Sequence, residues 1–313
     1  MCIASMPRWT RLVRARPHTS GLPVQPSAFE NLLVLYGRHF PIRRGKLRVI
    51  NSLWRSAAGH RNTQRVASLK HGGLRMPCDL SEILHRQFYF CGTYLLAEDV
   101  LSCWEHEARG ARIIFDVGAN AGIFSLAALA VQPDAVIHAF EPTPEIAIGL
   151  RETAAMNGLN HLYVHEVAVS REDGHAALRR YRGELGTNEG MNFTTTPTGD
   201  SGAELVPAIC LDRFCVEHAI ERIDLLKLDI QGNEHQALAG AARLLRTGSI
   251  ATIFTELNWA GKAGGACPAT ESIRLLDDAG YRFSKPGNRL EWKESGDWMR
   301  SLADVVARRG PFG

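Results

Sequence analysis

The sequence predicts an α/β fold with a largely parallel β-sheet that helices cover on both faces. From residue 112 onward, short apolar runs typical of buried strands alternate with segments whose apolar residues have helical spacing. The first of these runs leads into a glycine-containing turn and a helix, over residues 112–125 (RIIFDVGANAGIFS). In α/β proteins a ligand binds at such a junction, because glycines admit it to the backbone and the helix N-terminus points N–H groups at it.

The elements that follow keep this alternation. Further strands are predicted at 135–140, 161–170, 175–181, 224–230 and 251–257. Helices are predicted at 144–158, 233–245 and 270–280, with a short one after residues 206–210. Residues 281–285 and 289–293 are expected to close the sheet as an antiparallel hairpin, and residues 183–203 read as a long, functional or mobile loop.

The N-terminal quarter differs in charge from the remainder. Residues 1–78 hold fourteen lysines and arginines against one acid, Glu30, whereas the rest of the chain has 22 basic and 32 acidic residues. We expect a disordered basic tail over residues 1–28, a helical N-terminal segment over 29–105 and the main domain over 106–313. The basic residues form either a solvated face or a site for phosphate, an acidic partner or an anionic membrane surface.

Composition excludes several classes of protein. The hydrophobic fraction of 45% and the charged fraction of 22% are typical of a soluble globular chain, and no run suggests a transmembrane segment. The N-terminus has no apolar core followed by a small-residue cleavage site, so we do not expect a secretory signal. Seven scattered cysteines without a C-x-x-C pair favour free thiols in a reducing cytoplasm over a zinc site or a disulfide framework.

The turn after the first strand discriminates between nucleotide cofactors. A dinucleotide fingerprint G-x-G-x-x-G starting at Gly118 would need glycines where Asn120 and Ile123 stand, so NAD and FAD are disfavoured. No Lys-Ser or Lys-Thr follows, so the turn is not a Walker loop. S-adenosylmethionine fits better, because Asp116 can meet its ammonium, directly or through water, and residues 118–122 suit its carboxylate. Glu141, which follows the second strand, can accept hydrogen bonds from both ribose hydroxyls.

Three motifs at this point carry a resemblance to a known family. They are Asp116-Val117-Gly118-Ala119-Asn120-Ala121-Gly122, Phe140-Glu141-Pro142-Thr143-Pro144 and Leu226-Lys227-Leu228-Asp229-Ile230-Gln231-Gly232-Asn233-Glu234. The sequence resembles the FkbM-type methyltransferases over roughly residues 80–285. Gln231 stands where the family often has glutamate.

The resemblance implies a fold, a cofactor and a reaction. The fold would be the Rossmann-like class I methyltransferase fold, a mostly parallel seven-stranded sheet with an antiparallel C-terminal strand. The reaction would be S-adenosylmethionine-dependent O-methylation of a sugar, glycan or secondary metabolite. The cofactor contacts that we expect are Asp116, Gly118, Ala119, Asn120, Gly122, Phe124, Glu141, Pro142, Glu166 and Ala168, with Glu166 near the adenine.

The acceptor side needs a group that takes the hydroxyl proton. Asp229 is the best-placed candidate, and Glu234, Glu256 and Lys227 lie close enough in the pattern to share its cleft. Three of them carry alternative readings: Glu234 as a helix-terminal charge, Glu256 as a structural acid and Lys227 as an ion-pair partner. Possible further bases are His138, His161, His165 and His235. Mg²⁺ held by Asp229, Glu234 and Glu256 is permitted but not required.

Two other functions remain open. The basic arm suggests a nucleic-acid or protein methyltransferase, but Asp229-Ile230-Gln231-Gly232 replaces the polar-Pro-Pro-aromatic motif of base N-methylation, so nucleic acid is disfavoured. The arm also lacks the dense aromatics of a stacking platform. The other alternative is a non-catalytic scaffold that binds S-adenosylmethionine, or a partner through the basic arm.

Overall fold

A computed structural model describes most of the chain. The described residues are 26–42, 44–57, 62–70, 72–180, 182–183, 186–187, 193–195, 204–259, 267–287 and 290–309. The predicted disordered tail, residues 1–28, lies outside this set except for its last three residues. Among the helices of the described part, none combines the length and apolar character needed to cross a bilayer.

Helices and strands alternate through most of these residues. The helices are α1 (Ala28–His39), α2 (Lys46–Ala57), α3 (Ile83–Cys91), α4 (Glu98–Ala108), α5 (Ile123–Val131), α6 (Pro144–Asn157), α7 (Leu211–Glu217), α8 (Glu234–Ala239), α9 (Ala242–Thr247) and α10 (Pro268–Asp278). The strands are β1 (Gln64–Ser68), β2 (Arg75–Asp79), β3 (Ile113–Val117), β4 (Val136–Phe140), β5 (Leu162–His165), β6 (Ala168–Val169), β7 (Gly174–Arg179), β8 (Arg182–Gly183), β9 (Gly186–Thr187), β10 (Phe193–Thr195), β11 (Glu204–Ile209), β12 (Ile223–Leu228), β13 (Ile250–Glu256), β14 (Arg282–Ser284) and β15 (Asp304–Arg308).

Seven strands form the central sheet, in the order β14-β15-β13-β12-β3-β4-β5. Every neighbouring pair is parallel except those of β15, which runs antiparallel to both β13 and β14. Successive strand residues pack on opposite faces: Ile114 belongs to one apolar core and Phe115 to the other. The predicted fold, a mostly parallel seven-stranded sheet with an antiparallel C-terminal strand, is confirmed.

The strand predicted over 161–170 is wrong as one element. β5 joins the central sheet, whereas β6 joins a separate four-stranded sheet in the order β10-β7-β11-β6. This second sheet lies next to the β5 edge of the central sheet, because β6 follows β5 after two residues. The loop predicted over 183–203 lies mostly outside the described residues, and its described residues form the short strands β8, β9 and β10.

The helix predicted over 233–245 is also two helices, α8 and α9. They separate at Gly240, where a Cβ atom would stand 2.1 Å from the carbonyl oxygen of Ser170. The Gly240 carbonyl accepts a hydrogen bond from the Asp212 N–H over 2.9 Å. This close tertiary approach, which local periodicity does not report, accounts for the break.

The predicted closing hairpin is only partly correct. Residues 289–293 contribute a single antiparallel bridge, Phe283 to Lys293. The strand that completes the sheet is β15, which pairs with β14 through Phe283 and Ala307. The predicted hairpin thus placed the closing strand at 289–293, whereas it lies later in the chain, at Asp304–Arg308.

The N-terminal segment, predicted as helical over 29–105, contains α1 to α4 and also the antiparallel hairpin β1–β2. The last helix begins at Glu98, after a 3₁₀ turn at Leu95–Ala97, and continues to Ala108. A buried ion pair of 2.8 Å joins Glu30 on α1 to Arg65 on β1. The segment's apolar residues share one continuous core with α5 and the sheet. The domain boundaries at 28 and 105 remain a prediction.

Candidate active site

A cleft of about 900 Å³, including its open mouth, lies at the C-terminal ends of β3, β4 and β12. Its lining residues are Leu84, Tyr94, Val117, Gly118, Ala119, Asn120, Ile123, Phe124, Phe140, Glu141, Pro142, Thr143, Val167, Ala168, Val169, Thr194, Asp229, Ile230 and Gln231. The cleft therefore combines apolar walls with a few polar groups from three strand ends.

Gly118 sets the shape of the turn that forms the cleft floor. Its φ of +77° is unfavourable for other residues, and a Cβ atom there would stand 2.0 Å from the carbonyl oxygen of Asp229. The N–H groups of Gly118 and Ala119 both donate to the Phe140 carbonyl, at 2.9 and 3.0 Å. The turn thus locks together the ends of β3, β4 and β12.

Glu141 is held rigidly at the end of β4. The Asn120 N–H donates to its Oε2 over 3.0 Å, and the Thr143 N–H donates to its Oε1 over 2.8 Å. The side chain is buried, and burial raises its pKa despite these bonds. Each carboxylate oxygen keeps a lone pair for a further donor, and the residue lines the cleft.

Asp116 is placed differently from the sequence expectation. Its Oδ2 accepts hydrogen bonds from the Ser125 N–H over 3.0 Å and from the Ser125 hydroxyl over 2.6 Å. The side chain is buried, and burial raises its pKa. It is not among the lining residues of the cleft in the described part of the chain. Asp116 therefore fixes the first turn of α5 in this structure.

The start of α5 offers donors to the cleft. Ile123 and Phe124 are its first two residues and both line the cleft. The N–H groups of the first turn of a helix have no intrahelical acceptor, so they suit an anionic ligand group. Gly122, with φ +82°, directly precedes the helix. A Cβ atom at this position would stand 2.3 Å from a side-chain carbon of Leu150. Gly122 thus shapes the turn without lining the cleft.

Of the ten predicted cofactor contacts, seven line the cleft. They are Gly118, Ala119, Asn120, Phe124, Glu141, Pro142 and Ala168. Asp116 and Gly122 lie behind the cleft surface and do not line it. Glu166 does not line it either: it forms an ion pair of 2.9 Å with Arg151, and 40% of its side chain is exposed. Val167, Ala168 and Val169, which follow Glu166, supply the apolar wall at that end.

Three lining residues come from elements that the motifs did not indicate. Leu84 and Tyr94 belong to the N-terminal segment, and Thr194 lies on β10 within the loop predicted over 183–203. Asn233 donates a hydrogen bond from Nδ2 to the Thr194 carbonyl, which fixes β10 against the loop after β12. The length of the loop predicted over 183–203 was the one sequence feature that could have indicated a role for Thr194.

A charged cluster lies at the end of β12. Lys227 Nζ lies 3.0 Å from Asp229 Oδ2, and the Gln231 amide donates to Asp229 Oδ1 over 2.9 Å. The same amide reaches Glu256 Oε2 at 3.4 Å. Of the four predicted catalytic residues, Asp229 alone lines the cleft in the described part of the chain, and its side chain is 35% exposed.

Lys227 is a buried cation surrounded by carboxylates. Burial alone would lower its pKa, but Asp229 and Asp304 outweigh that effect, so the pKa of Lys227 is raised. Its ammonium also lies 4.7 Å from the centre of the Phe124 ring. The lysine is therefore charged and pairs with the Asp229 carboxylate.

The ring under Lys227 is supported by the N-terminal segment. Trp104 on α4 packs edge-on against Phe124 and Phe254, with ring centres 5.6 and 5.3 Å apart. The Trp104 indole N–H donates to the Phe124 carbonyl over 2.9 Å. A residue outside the three motifs thus fixes the position of a cleft residue and, through it, of Lys227.

The Glu234 carboxylate binds the backbone of the loop that follows β12. Its Oε1 accepts from the N–H groups of Ile230 and Gly232, at 2.9 and 3.1 Å. The side chain is buried, and burial raises its pKa. These bonds hold the tight turn in which Gln231 has a φ of +57°. Glu234 thereby orients the Gln231 amide toward Asp229.

Two further titratable groups belong to the cluster and were not predicted. Asp304 begins β15 and stands opposite Glu256 in the antiparallel register, and burial raises its pKa. Tyr94 lines the cleft, and burial together with Asp229 raises the pKa of its phenol. Both lie far in sequence from the motifs, so no local pattern indicated them.

The histidines proposed as bases occupy other positions. His138 and His165 stack at 5.2 Å within an aromatic cluster around Phe140 and Phe214, and their ring nitrogens lie 3.0 Å apart. Burial lowers their pKa values to about 4 and about 3, so both rings are neutral. These two, like His161 and His235, are absent from the cleft lining that the structure describes.

The described residues contain no group of three or more His, Cys, Asp and Glu side chains arranged to hold a metal ion. Of the ligands considered for Mg²⁺, Asp229 is bonded to Lys227 and Glu234 to backbone N–H groups. Asp229 Oδ2 and Glu234 Oε1 thus already have partners within the protein. No step of the chemistry below depends on a metal.

The buried Glu256 predicts a dependence of stability on pH. Burial, then Asp229, raises its pKa to about 8, so the folded state favours the protonated form. The stabilisation that protonated Glu256 gives the folded state is complete below the ordinary pKa of a glutamate. It is lost as the pH rises through about 8. Between about pH 6 and about pH 9, wild-type protein should lose about 2 kcal/mol more free energy of unfolding than Glu256→Gln.

Urea unfolding at several pH values measures this difference. Glu291→Gln, at an exposed glutamate with 75% of its side chain accessible, is the matched control and should follow the wild type. Parallel pH profiles for wild type and Glu256→Gln would contradict the assignment.

Comparisons with known proteins find relatives that are named as methyltransferases. The 31-O-demethyl-FK506 methyltransferase FkbM of Streptomyces tacrolimicus is 31% identical over 159 residues, which cover 43% of this chain and 61% of that protein. The 2-O-methyltransferase NoeI of Sinorhizobium fredii is 28% identical over 182 residues, or 52% of this chain and 70% of that protein. The chain thus spans about three fifths of the length of the first relative.

Similar solved structures are more distant. The S-adenosylmethionine-dependent methyltransferase structure from Agrobacterium tumefaciens has 9% sequence identity and a TM-score of 0.41, covering 81% of this chain and 72% of that one. The family profile described as "Methyltransferase FkbM domain" matches residues 116–283, which is more than half of the chain and includes all three sequence motifs. The chain therefore belongs to the FkbM methyltransferase domain family.

Proposed function

We propose that this protein transfers a methyl group from S-adenosylmethionine to a hydroxyl group of a sugar, glycan or secondary metabolite. The observation that carries the proposal is one cleft that combines the Gly118 turn, Glu141 and Asp229. The names of two relatives, a 31-O-demethyl-FK506 methyltransferase and a 2-O-methyltransferase, support oxygen as the methylated atom. Free thiols at all six described cysteines support a reducing cytoplasm as its location.

The cleft offers a complementary group for each part of S-adenosylmethionine. Glu141, fixed by two backbone N–H groups, can accept from both ribose hydroxyls. The first N–H groups of α5 suit the methionine carboxylate, and the apolar wall at 167–169 suits the adenine. The buried carboxyl group of Asp116 lies behind the turn, on the side that the ammonium would occupy. A Cβ at Gly118 would collide with the carbonyl oxygen of Asp229, so glycine is needed to bring this turn against the end of β12.

The acceptor chemistry follows from the charged cluster. The sulfonium of the donor supplies an activated methyl group, so the protein has to align the acceptor oxygen and remove its proton. Asp229 lines the cleft, and its carboxylate accepts hydrogen bonds from the ammonium of Lys227 and the amide of Gln231. In our proposal the Asp229 carboxylate takes the hydroxyl proton. Glu256, protonated near neutral pH, limits the negative charge beside it.

Tyr94 is proposed to position the acceptor. It lines the same cleft as Asp229, whose charge contributes to its raised pKa. Removing the hydroxyl in Tyr94→Phe should lower kcat/KM for the acceptor about 5-fold, the value of one neutral hydrogen bond. The dissociation constant of S-adenosylmethionine should not change. Tyr163→Phe, at an exposed tyrosine on β5, is the control; an unaltered kcat/KM for Tyr94→Phe would contradict the role.

Two measurements test the proposed function. Isothermal titration calorimetry should show binding of S-adenosylmethionine at micromolar strength, and absence of binding would contradict the proposal. Transfer of labelled methyl groups should then be screened against cell extracts fractionated into sugars, lipids, small metabolites, proteins and nucleic acids. Label in a hydroxyl-bearing small molecule or glycan supports the proposal. Binding without any transfer would favour the non-catalytic scaffold, and label in nucleic acid or protein would favour the alternative substrate class.

A further inference from the structure

Exposed apolar side chains concentrate on the first two helices. Eleven large hydrophobic residues are exposed in the described part of the chain, and seven of them lie between residues 29 and 53. These seven are Phe29, Leu32, Leu35, Phe40, Ile42, Val49 and Leu53. Single exposed hydrophobic residues are ordinary, whereas a concentration of this kind marks a surface for a partner or a membrane. We call these residues, with Arg44, Arg48 and Arg55, the α1–α2 surface.

The arrangement follows from the helices themselves. On α1 the buried side comprises Glu30, Leu33 and Gly37, and it packs against α3, where a Cβ at Gly37 would stand 2.3 Å from the Phe90 carbonyl oxygen. Leu32 and Leu35 project from the opposite side of the helix, with accessibilities of 64% and 57%. Their exposure is therefore a consequence of how α1 is fixed, since the other side of the helix already supplies its packing.

The second helix repeats the pattern. Ile50 and Trp54, four residues apart, are buried in the core, while Val49 and Leu53 are each 42% exposed. The basic residues Arg48 and Arg55 are exposed on the same helix, and Arg44 is exposed just before it. Apolar and cationic side chains are thus interspersed on α2, as in helices that lie at a membrane interface.

Charge identifies what this surface fits. Glu30 is the one acid among residues 1–78, and it is buried in its ion pair with Arg65. Within residues 1–78, no other acid offsets the exposed Arg48 and Arg55 on α2. Residues 1–25, which contain four arginines and no acid, have the same sign of charge and do not neutralise it. A second copy docked face to face would likewise bring two positive surfaces together.

We propose that the α1–α2 surface binds the surface of an anionic lipid bilayer. The arginines would contact acidic headgroups, and the leucines would insert into the boundary between headgroups and acyl chains. Nucleic acid would use the arginines but would leave the exposed leucines in water. The inference is independent of the proposed methyl transfer, because neither donor nor acceptor takes part.

Co-sedimentation of the full chain with lipid vesicles tests the proposal. Vesicles of phosphatidylcholine with about one third phosphatidylserine should bind the protein, and vesicles of phosphatidylcholine alone should bind it at least about tenfold more weakly. Binding should weaken as salt is raised. Replacing Arg44, Arg48 and Arg55 together by glutamine should reduce partitioning about 100-fold. The double variant Leu32→Gln/Leu35→Gln should reduce it at least about tenfold.

Matched controls separate this surface from general stickiness. Val216→Gln removes an equally exposed apolar residue of α7, and Arg246→Gln removes an exposed cation of α9; both should bind as wild type. Thermal unfolding checks that the leucine and arginine variants remain folded, as expected for exposed sites. Equal binding to neutral and anionic vesicles, or wild-type binding by either multiple variant, would overturn the proposal. So would a dimer in light scattering that Leu32→Gln/Leu35→Gln dissociates, which would assign the surface to a second copy.

Discussion

Glu141→Ala is expected to raise the dissociation constant of S-adenosylmethionine at least about 100-fold, because two hydrogen bonds to a charged acceptor are worth about 1.5–3 kcal/mol each. The carboxylate is anchored by the N–H groups of Asn120 and Thr143, so its remaining lone pairs are fixed in direction. Replacement also frees the turn next to Gly118, which adds to the loss. Isothermal titration calorimetry measures the change directly.

The control for this variant is Glu145→Ala. Glu145 lies four residues further on, in the first turn of α6, and is exposed, so its removal should leave the affinity within about twofold. Thermal unfolding without ligand distinguishes lost binding from lost folding, and Glu141→Gln, which keeps one acceptor oxygen, should fall between wild type and Glu141→Ala. Wild-type affinity in a folded Glu141→Ala protein would contradict the placement of the ribose.

Asp229→Asn is expected to lower kcat about 10²–10⁴-fold, the usual contribution of a positioned general base. Asparagine has nearly the same shape and can still accept a hydrogen bond from Lys227, but it cannot take a proton from the acceptor. Affinity for S-adenosylmethionine should change little, because the turn at Gly118 contacts the backbone carbonyl of Asp229 and not its side chain. Initial rates of labelled-methyl transfer to the acceptor fraction measure the effect.

Asp278→Asn is the matched control for this substitution. Asp278 ends α10, and 65% of its side chain is exposed, so the rate should remain that of the wild type. Raising the pH should restore part of the activity of Asp229→Asn if hydroxide can replace the missing base. Full turnover by Asp229→Asn at neutral pH would show that another group removes the proton.

Much of the central sheet could be predicted because its signals are local. The run Ile113–Phe115 is apolar, and apolar residues also dominate the other strands of the parallel sheet. The strand β15 was missed because its short apolar run, Val305 to Ala307, becomes interpretable only through pairing with β13, some fifty residues earlier. The breaks at residues 166–167 and at Gly240 likewise come from tertiary contacts, which periodicity does not report.

The site divides in the same way. Residues of the Gly118 turn and Glu141 were predictable because a short motif both forms the turn and faces the ligand. Tyr94 and Asp304 were not, because their neighbours in space, Asp229 and Lys227, lie more than seventy residues away in sequence. The role of Gln231 also needed the structure: its amide donates a hydrogen bond to Asp229, which a glutamate at that position could do only when protonated.

The position of β15 also determines how this protein can be cut for expression. β15 is an interior strand, between β13 and β14, although it is the last strand in sequence. A fragment ending at residue 283, where the family match stops, would expose the edge of β13 and leave β14 without its partner. A fragment starting at residue 116 would lose Trp104 and Tyr94, and with them one wall of the cleft. The smallest fragment that keeps the cleft intact therefore extends from the N-terminal helices through residue 308.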